Sequence, residues 1–266
     1  IINSGGRGKQ TSIYLRGTES DHILVLIDGV RSGSATTGAA AWQHIPVSEI
    51  ESIEVVRGPK SSLYGADAIG GVIHIHTRNA SSAQSTISPT FSVGGGTYGR
   101  YQVQAGVSGK VGKGWYNLNA SHEQTEGFNS CAGALSHGCF TDEPDRDGYE
   151  NHAASFRLGY QVTDWLSLEG HTLYSDGSTE FDGSFQNESD YTQLTYGGKA
   201  VIQALDFWKI DLSAGASQDK STSFLNGAQT GVFDTQRVSF SALNNFTVTP
   251  EHVFSLGYDF LDDSIE

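Results

Sequence analysis

From about residue 85 onward, hydrophobic and polar positions alternate with a period of two. Tyr101, Val103, Ala105 and Val107 share one side, with Gln102 and Gln104 on the other. Phe156, Leu158, Tyr160 and Val162 repeat the pattern, as do Leu194, Tyr196, Ala200, Ile202 and Ala204. Trp208 to Ala216, Val238 to Val248 and Phe254 to Phe260 continue it. Alternation over roughly ten residues predicts β-strands with one apolar face, as a strand between lipid and a wet lumen requires. Predicted connections are short near 110–113, 163–164, 205–207 and 249–251, and long at about 125–149, 177–190 and 221–234. Outer-membrane barrels sort short turns to one side and long loops to the other, whereas a soluble sandwich has no reason to do so. Trp165, Phe207 and Trp208 flank short turns, as an interfacial aromatic girdle would. About nine strands fit here, and an open membrane sheet of that kind would leave unpaired edges. Residues 85–266 therefore read as the first part of an antiparallel transmembrane β-barrel whose remainder is missing.

The first 80 residues read differently, as a small mixed α/β domain. Ser12–Arg16, His22–Ile27, Ile53–Val56 and Val72–Thr77 are strand candidates, and Asp28-Gly29 is a turn. Ser48 and Glu51 have the spacing of a capping box for a short helical turn. Pro59 is placed to open a helix over Ser61–Tyr64.

Composition sharpens this division. The chain has 266 residues and a net charge of −14. Residues 1–80 balance seven basic against seven acidic side chains, so all the net acidity lies beyond them. That opposes nucleic acid as a partner, because phosphate binding needs a basic face. The longest apolar run, Ile23–Ile27, is far short of the roughly 20 residues of a spanning helix. With no Met and no leader-like segment, the chain reads as N-terminally incomplete.

Several motifs carry a family likeness. Leu15-Arg16-Gly17, the run Val25 to Arg31, the run Ile53 to Pro59 and the run Leu63 to Ile73 resemble the plug domain of TonB-dependent outer-membrane receptors. The segment from Gly5 through Ala40 is most similar to the cobalamin (vitamin B12) receptors. The resemblance implies a partial plug over residues 1–80, filling a 22-stranded barrel whose first strands occupy 85–266. It implies active uptake of cobalamin across the bacterial outer membrane, with the barrel in outer-membrane lipid. It also implies a TonB energy-coupling protein that pulls a segment preceding Ile1. Receptors for ferric siderophores or haem, and passive porin or adhesin barrels, are the competing readings. Arg16, Glu54 and Arg57 form a candidate ion-pair network between plug and wall.

Candidate chemistry clusters in two predicted loops. Asp142 to Gly148 is acidic, and Asp182, Glu188 and Asp190 follow in the next loop. Clustered carboxylates repel unless a cation joins them, and Ca²⁺ takes six to eight oxygens in flexible geometry. A solvated acidic loop is the alternative. By resemblance, Asp145, Asp147 and Asp182 match the family's calcium ligands, with Glu143 in place of an amide and Asn129 in place of a carboxylate. Either Glu188 or Asp190 completes the set. Cys131 and Cys139, the only two cysteines, suggest a small disulfide-closed loop in an oxidising compartment. The resemblance places ligand contacts on the plug at Gln10, Ser12 and Glu19 and on the stretch containing Thr36, Thr37 and Gly38, with Phe181 contributing from a barrel loop. No nucleophile elbow, phosphate loop or dinucleotide fingerprint occurs, so an enzyme is not expected.

Overall fold

The computed structural model describes residues 1–34, 37–58, 68–131, 141 and 143–265. A two-stranded ribbon, β1 (Ile2–Asn3) with β2 (Thr11–Ser12), precedes a four-stranded sheet. That sheet contains β3 (Ile23–Ile27), β4 (Val30–Ser32), β5 (Ile50–Arg57) and β6 (Gly71–Thr77) in the order β4-β3-β6-β5. β3 runs parallel to β6, and the other pairs are antiparallel.

All five residues of β3 are buried. Ile23, Val25 and Ile27 pack on one side with Ala40, Ile45, Ile73 and Ile75, and Leu24 and Leu26 pack on the other with Ala68 and Val72. Burial on both faces explains why this strand is uniformly apolar and does not alternate. Asp28 and Gly29 both take positive φ, 51° and 91°, in a tight turn into β4 whose twist suits the hairpin.

Two local expectations are corrected. Strand structure near residue 12 stops at Ser12, and Leu15 makes only a single bridge to Thr18. Arg16 and Gly17, at φ 52° and 83°, turn the chain there. The helical turn near residue 48 is a 3-10 turn, Val47–Glu49, that follows Pro46 and has no side-chain cap. Ser48 instead shares a 2.8 Å hydrogen bond with the Ser121 hydroxyl, and Glu51 accepts from the Asn79 amide at 2.8 Å. Among the described residues the only helical pieces are three 3-10 turns. The helix expected over 61–64 lies outside the described residues.

The remaining chain forms one antiparallel sheet of nine strands in sequence order. These are β7 (Ser88–Gly95), β8 (Tyr101–Val111), β9 (Gly114–Thr125), β10 (Tyr149–Thr163) and β11 (Leu166–Glu180). β12 (Glu188–Leu205), β13 (Trp208–Leu225), β14 (Ala228–Thr249) and β15 (His252–Ile265) complete it. One end carries the short turns 112–113, 164–165, 206–207 and 250–251.

The other end departs from the expected pattern. Only the connection 126–148 is long; the next is 181–187, and β13 joins β14 through Asn226 and Gly227 alone. Both residues have positive φ, 51° and 77°, the signature of a two-residue Asn-Gly hairpin turn. The long loop expected over 221–234 is therefore a tight hairpin. A membrane crossing needs about 9–11 strand residues. β14 has 22, so these strands project well past any bilayer as paired ribbon.

The sheet's polarity is inverted relative to a water-soluble protein. Along β10, Tyr149, Asn151, Ala153, Ser155 and Arg157 are buried toward the plug, while Phe156, Leu158 and Tyr160 are exposed. The same sorting buries Asn117, Asn119, His171, Ser175, Thr195 and Ser217 and exposes Leu118, Leu168, Tyr196 and Phe240. No second protein layer covers the apolar side of the described strands. Trp165 and Phe207 are exposed beside the short turns, and Trp208 stacks on Phe246. Among the described residues no helix is long and apolar enough to cross a membrane.

Plug and wall share buried polar groups. Asp28 pairs with Arg157, which also reaches Glu169 at 2.8 Å and the Thr77 hydroxyl at 2.8 Å. Thr77 in turn donates its amide, at 3.0 Å, and its hydroxyl, at 2.6 Å, to the Asp28 carboxylate. Burial favours the neutral acid, but Arg157 and the hydrogen bonds from Thr77 outweigh it and hold the Asp28 carboxyl below its usual range. Glu49, fully buried on the plug, accepts hydrogen bonds from Ser121 and Ser155 of the wall. Leu173 of β11 sits inside the plug's own apolar cluster.

Candidate functional site

The loop end of the wall and the neighbouring part of the plug bring the candidate residues together in part. Glu143, Asp145 and Asp182 each offer a carboxylate oxygen, and the three oxygens lie within 4.8 Å of one another. Both Asp182 oxygens are buried without a hydrogen-bond partner among the described residues. Burial and the charges of Asp147, Asp145 and Glu143 push its carboxyl up to about 6, and the one group pulling the other way is the nearby Cys131 amide, whose hydrogen bond goes to Asn129. Uncompensated carboxylates at this spacing are costly, and a hard cation with flexible oxygen coordination relieves the cost. The donor set thus fits Ca²⁺.

The other expected metal ligands have different partners. Asp147 is buried, and its Oδ2 accepts from the Ser130 amide at 2.7 Å and from the Ser130 hydroxyl. Asn129 donates to the Glu143 carbonyl at 2.6 Å and accepts from the Cys131 amide at 2.9 Å. Both side chains brace the loop that presents Glu143 and Asp145. Glu188 and Asp190 do not join the group of three. Tyr191 is buried toward the lumen, so the period of two turns Asp190 and Glu188 to the opposite side of β12.

Two residues that sequence reasoning missed hold the loops in place. The Asn187 amide nitrogen reaches Glu143 Oε1 at 3.4 Å and Asn226 Oδ1 at 3.2 Å, and its Oδ1 accepts from the Asn226 amide at 2.9 Å. It thereby links three connections. Lys9, from the plug, is buried and donates to the Asp147 and Gly148 carbonyls at 3.3 and 3.4 Å, to the Thr179 hydroxyl at 3.3 Å and to the Glu180 carbonyl. Burial lowers its pKa, while Asp147, Glu180 and Asp182 oppose the shift. A single Lys within Gly- and Ser-rich sequence gives no advance sign of this role. His44 of the plug stacks on Tyr191 of the wall with ring centroids 3.6 Å apart, and burial depresses its pKa to about 3.

The expected ligand-contact positions lie on exposed parts of the plug. Gln10, Glu19, Thr37 and Gly38 are exposed, and Ser12 is half-buried in the ribbon. Gly38, at φ 70°, lies against Asp21, which brings it next to the 3-10 turn that follows Glu19. Phe181 is half-buried, and its amide donates to the Asn187 carbonyl at 2.9 Å. Thr36 and Cys139 lie outside the described residues, and with Cys139 the proposed pairing to Cys131. A cleft of about 590 Å³ opens between plug and wall, lined by Arg7, Gln43 and Ser48 on one side and Arg100, Glu123 and Tyr149 on the other. Glu123 anchors it, receiving Arg7 at 2.9 Å and Arg100 at 2.8 Å.

Arg16, Glu54 and Arg57 are exposed and form no shared network among the described residues. Glu54 approaches His76 at 3.9 Å, and the Arg16 guanidinium lies over Gly58. Among the described residues the plug-to-wall ion pairs run elsewhere, from Asp28 to Arg157, with Glu169 beside it, and from Arg7 to Glu123.

Comparison with known proteins agrees with this architecture. The TonB-dependent Receptor Plug Domain family matches residues 1–72. The vitamin B12 transporter BtuB of Photobacterium profundum is 33% identical over 269 residues, which covers 99% of this chain and 42% of that protein. BtuB of Vibrio cholerae is 30% identical, covering 99% of this chain and 43% of its own length. The chain thus spans about two fifths of the length of these curated relatives. Among solved structures, the siderophore receptor PirA of Acinetobacter baumannii superposes with a TM-score of 0.76 at 20% identity, over 99% of this chain and 43% of that one. The FrpB iron transporter of Neisseria meningitidis gives 0.77 at 15% identity, over 98% and 44%. At such identities these structures speak for the fold alone. With plug motifs, plug fold, inverted-polarity wall and full-chain matches in accord, this chain belongs to the TonB-dependent receptors of the bacterial outer membrane, as a plug domain and nine antiparallel strands of its barrel.

Proposed function

We propose that the receptor carrying this chain takes up cobalamin, with Ca²⁺ ordering its extracellular loops and a TonB energy-coupling protein driving release. The observation that carries the reading is the alignment of nearly the whole chain with vitamin B12 transporters at 30–33% identity. The convergence of Glu143, Asp145 and Asp182 around an unpartnered buried carboxylate supports calcium. In this reading the cation joins the connections 126–148 and 181–187, with Asn129, Asp147 and Asn187 holding their frame. The ordered loops and the exposed plug turns around Gln10, Glu19, Thr37 and Gly38 then present polar and backbone groups to a large, amide-rich ligand, beside Phe181. Cys131 and Cys139 close the tip of the longer loop as a disulfide.

The test is ligand binding by the full-length receptor, measured by calorimetry against cyanocobalamin, haem and a ferric siderophore, each with and without Ca²⁺. Tight cyanocobalamin binding that strengthens with Ca²⁺ is the expected result. Preference for haem or a siderophore would overturn the cobalamin reading, and calcium-independent binding would overturn the role of the loops.

A further inference from the structure

We propose that His122, His152 and Glu150 form a binding site for a divalent transition-metal ion of the zinc class on the outward face of the barrel. His122 on β9 stands directly opposite His152 on β10, and Glu150 lies two residues along β10 on the same side. Both strands are paired on both flanks, β9 with β8 and β10 with β11, so the site has its full set of neighbours in the sheet. Directly opposed positions on antiparallel strands have Cβ atoms about 4.5–5.5 Å apart, a span two imidazoles can close on one ion. The two rings are 4.6 Å apart, and one ligand atom from each of the three residues falls within 4.8 Å of the others.

Hydrogen bonding fixes the tautomer that metal binding needs. The Tyr101 hydroxyl donates its single proton to Gln124 Oε1 at 2.7 Å. Its contact with His122 Nε2, at 3.0 Å, must then be one in which Nε2–H donates to the phenol oxygen. That leaves Nδ1 of His122 as a bare lone pair. Nδ1 is buried and has no hydrogen-bond partner among the described residues. An unsatisfied buried acceptor is costly, and a second imidazole and a carboxylate lie close to this ring. A ring nitrogen held by a hydrogen bond at its far side, with its lone pair toward convergent donors, is the usual arrangement of a metal-binding histidine. Glu150 already approaches His152 Nε2 at 3.5 Å, and Asp176 stands opposite His152 on β11 as a further acidic neighbour.

Two imidazoles and a carboxylate suit Zn²⁺ and Cu²⁺ far better than Ca²⁺, which takes oxygen donors. The site is therefore chemically distinct from the loop carboxylates. It lies on the outward side two rows beyond Leu118 and Phe156, toward the loop end, where a bound ion would join β9 to β10 above the exposed apolar band.

The test uses the full-length receptor without a polyhistidine tag, stripped with chelator and then titrated with Zn²⁺ by calorimetry and with Cu²⁺ by electron paramagnetic resonance. One Cu²⁺ per chain with couplings to two nitrogen nuclei is expected. His152→Gln or His122→Ala should weaken Zn²⁺ binding at least tenfold and remove one nitrogen coupling. Asp145→Ala, in the loop cluster, should leave both readouts unchanged. Tyr101→Phe should weaken binding severalfold while keeping both nitrogen couplings. Heat-modifiable gel mobility confirms that each variant retains its barrel. A folded His122→Ala plus His152→Gln variant with wild-type affinity and unaltered couplings would overturn the proposal, as would an oxygen-only copper spectrum in the wild type.

Discussion

The ammonium of Lys9, a plug residue, donates to the backbone carbonyl of Asp147 in the longest loop at 3.3 Å. The contact ties the first turn of the plug to the loop that bears two of the three clustered carboxylates. A buried ammonium on backbone carbonyls and a hydroxyl makes charge-assisted hydrogen bonds, each worth about 1.5–3 kcal/mol. Lys9→Met keeps the length of the side chain but leaves the Asp147, Gly148 and Glu180 carbonyls without this donor. Limited proteolysis of the intact receptor should cut within residues 126–148 at least several times faster than in the wild type. Unchanged cleavage would show that the loop stands without Lys9.

The Asp28–Arg157–Glu169 group predicts an acid limit for plug docking. The Asp28 carboxyl is held below the ordinary aspartate value of 3.8, so its stabilising effect is complete above about pH 4 and fades as the pH falls through the lower folded value. The protection factors of amides around Thr77, corrected for the intrinsic pH dependence of exchange, should therefore be flat from neutrality to about pH 4 and fall below it. Asp28→Ala leaves Arg157 buried with Glu169 alone and should destabilise docking by about 3–5 kcal/mol. That loss should appear as a lower denaturant midpoint for plug exposure at neutral pH.

For calcium, the geometry singles out three acids, Glu143, Asp145 and Asp182, of which the last two come from different connections. Asp145→Ala plus Asp182→Ala should lower Ca²⁺ affinity at least tenfold and abolish any calcium effect on ligand binding, as read by calorimetry. Asp147→Ala should act differently, because Asp147 is occupied with Ser130. Its main effect should be faster proteolysis of the loop, with a smaller fall in Ca²⁺ affinity.

The cysteines give a direct chemical test. Thiol labelling of the unreduced, denatured receptor should modify neither Cys131 nor Cys139, and labelling after reduction should modify both. Labelling without reduction would exclude the disulfide.

Much of the wall was legible in the sequence because period-two alternation is a local signal, and lipid on one side with a polar plug on the other keeps it clean. Phe156, Leu158 and Tyr160 point outward as their spacing predicts. The reading failed where one dipeptide outweighed composition. The polar stretch 221–234 looks like loop, yet Asn226-Gly227 closes a hairpin and the polar residues around it are strand. The acidic loops were legible as chemistry but not as geometry. Sequence shows that Asp147, Glu188 and Asp190 are acids; only the fold shows that Ser130 holds the first and that strand parity turns the other two away. Lys9 and Asn187 were illegible because their partners lie more than a hundred residues away in the one case and on two neighbouring connections in the other.

Leu173 belongs to the wall by chain and to the plug by packing. A plug sliding outward as one rigid stopper would have to drag its core off that side chain and bring apolar surface into a wet channel, while severing Arg157 from Asp28. The β3–β4 side of the plug sheet is thus moored to the wall, where the Ser217 hydroxyl also donates to the Arg31 carbonyl at 2.8 Å.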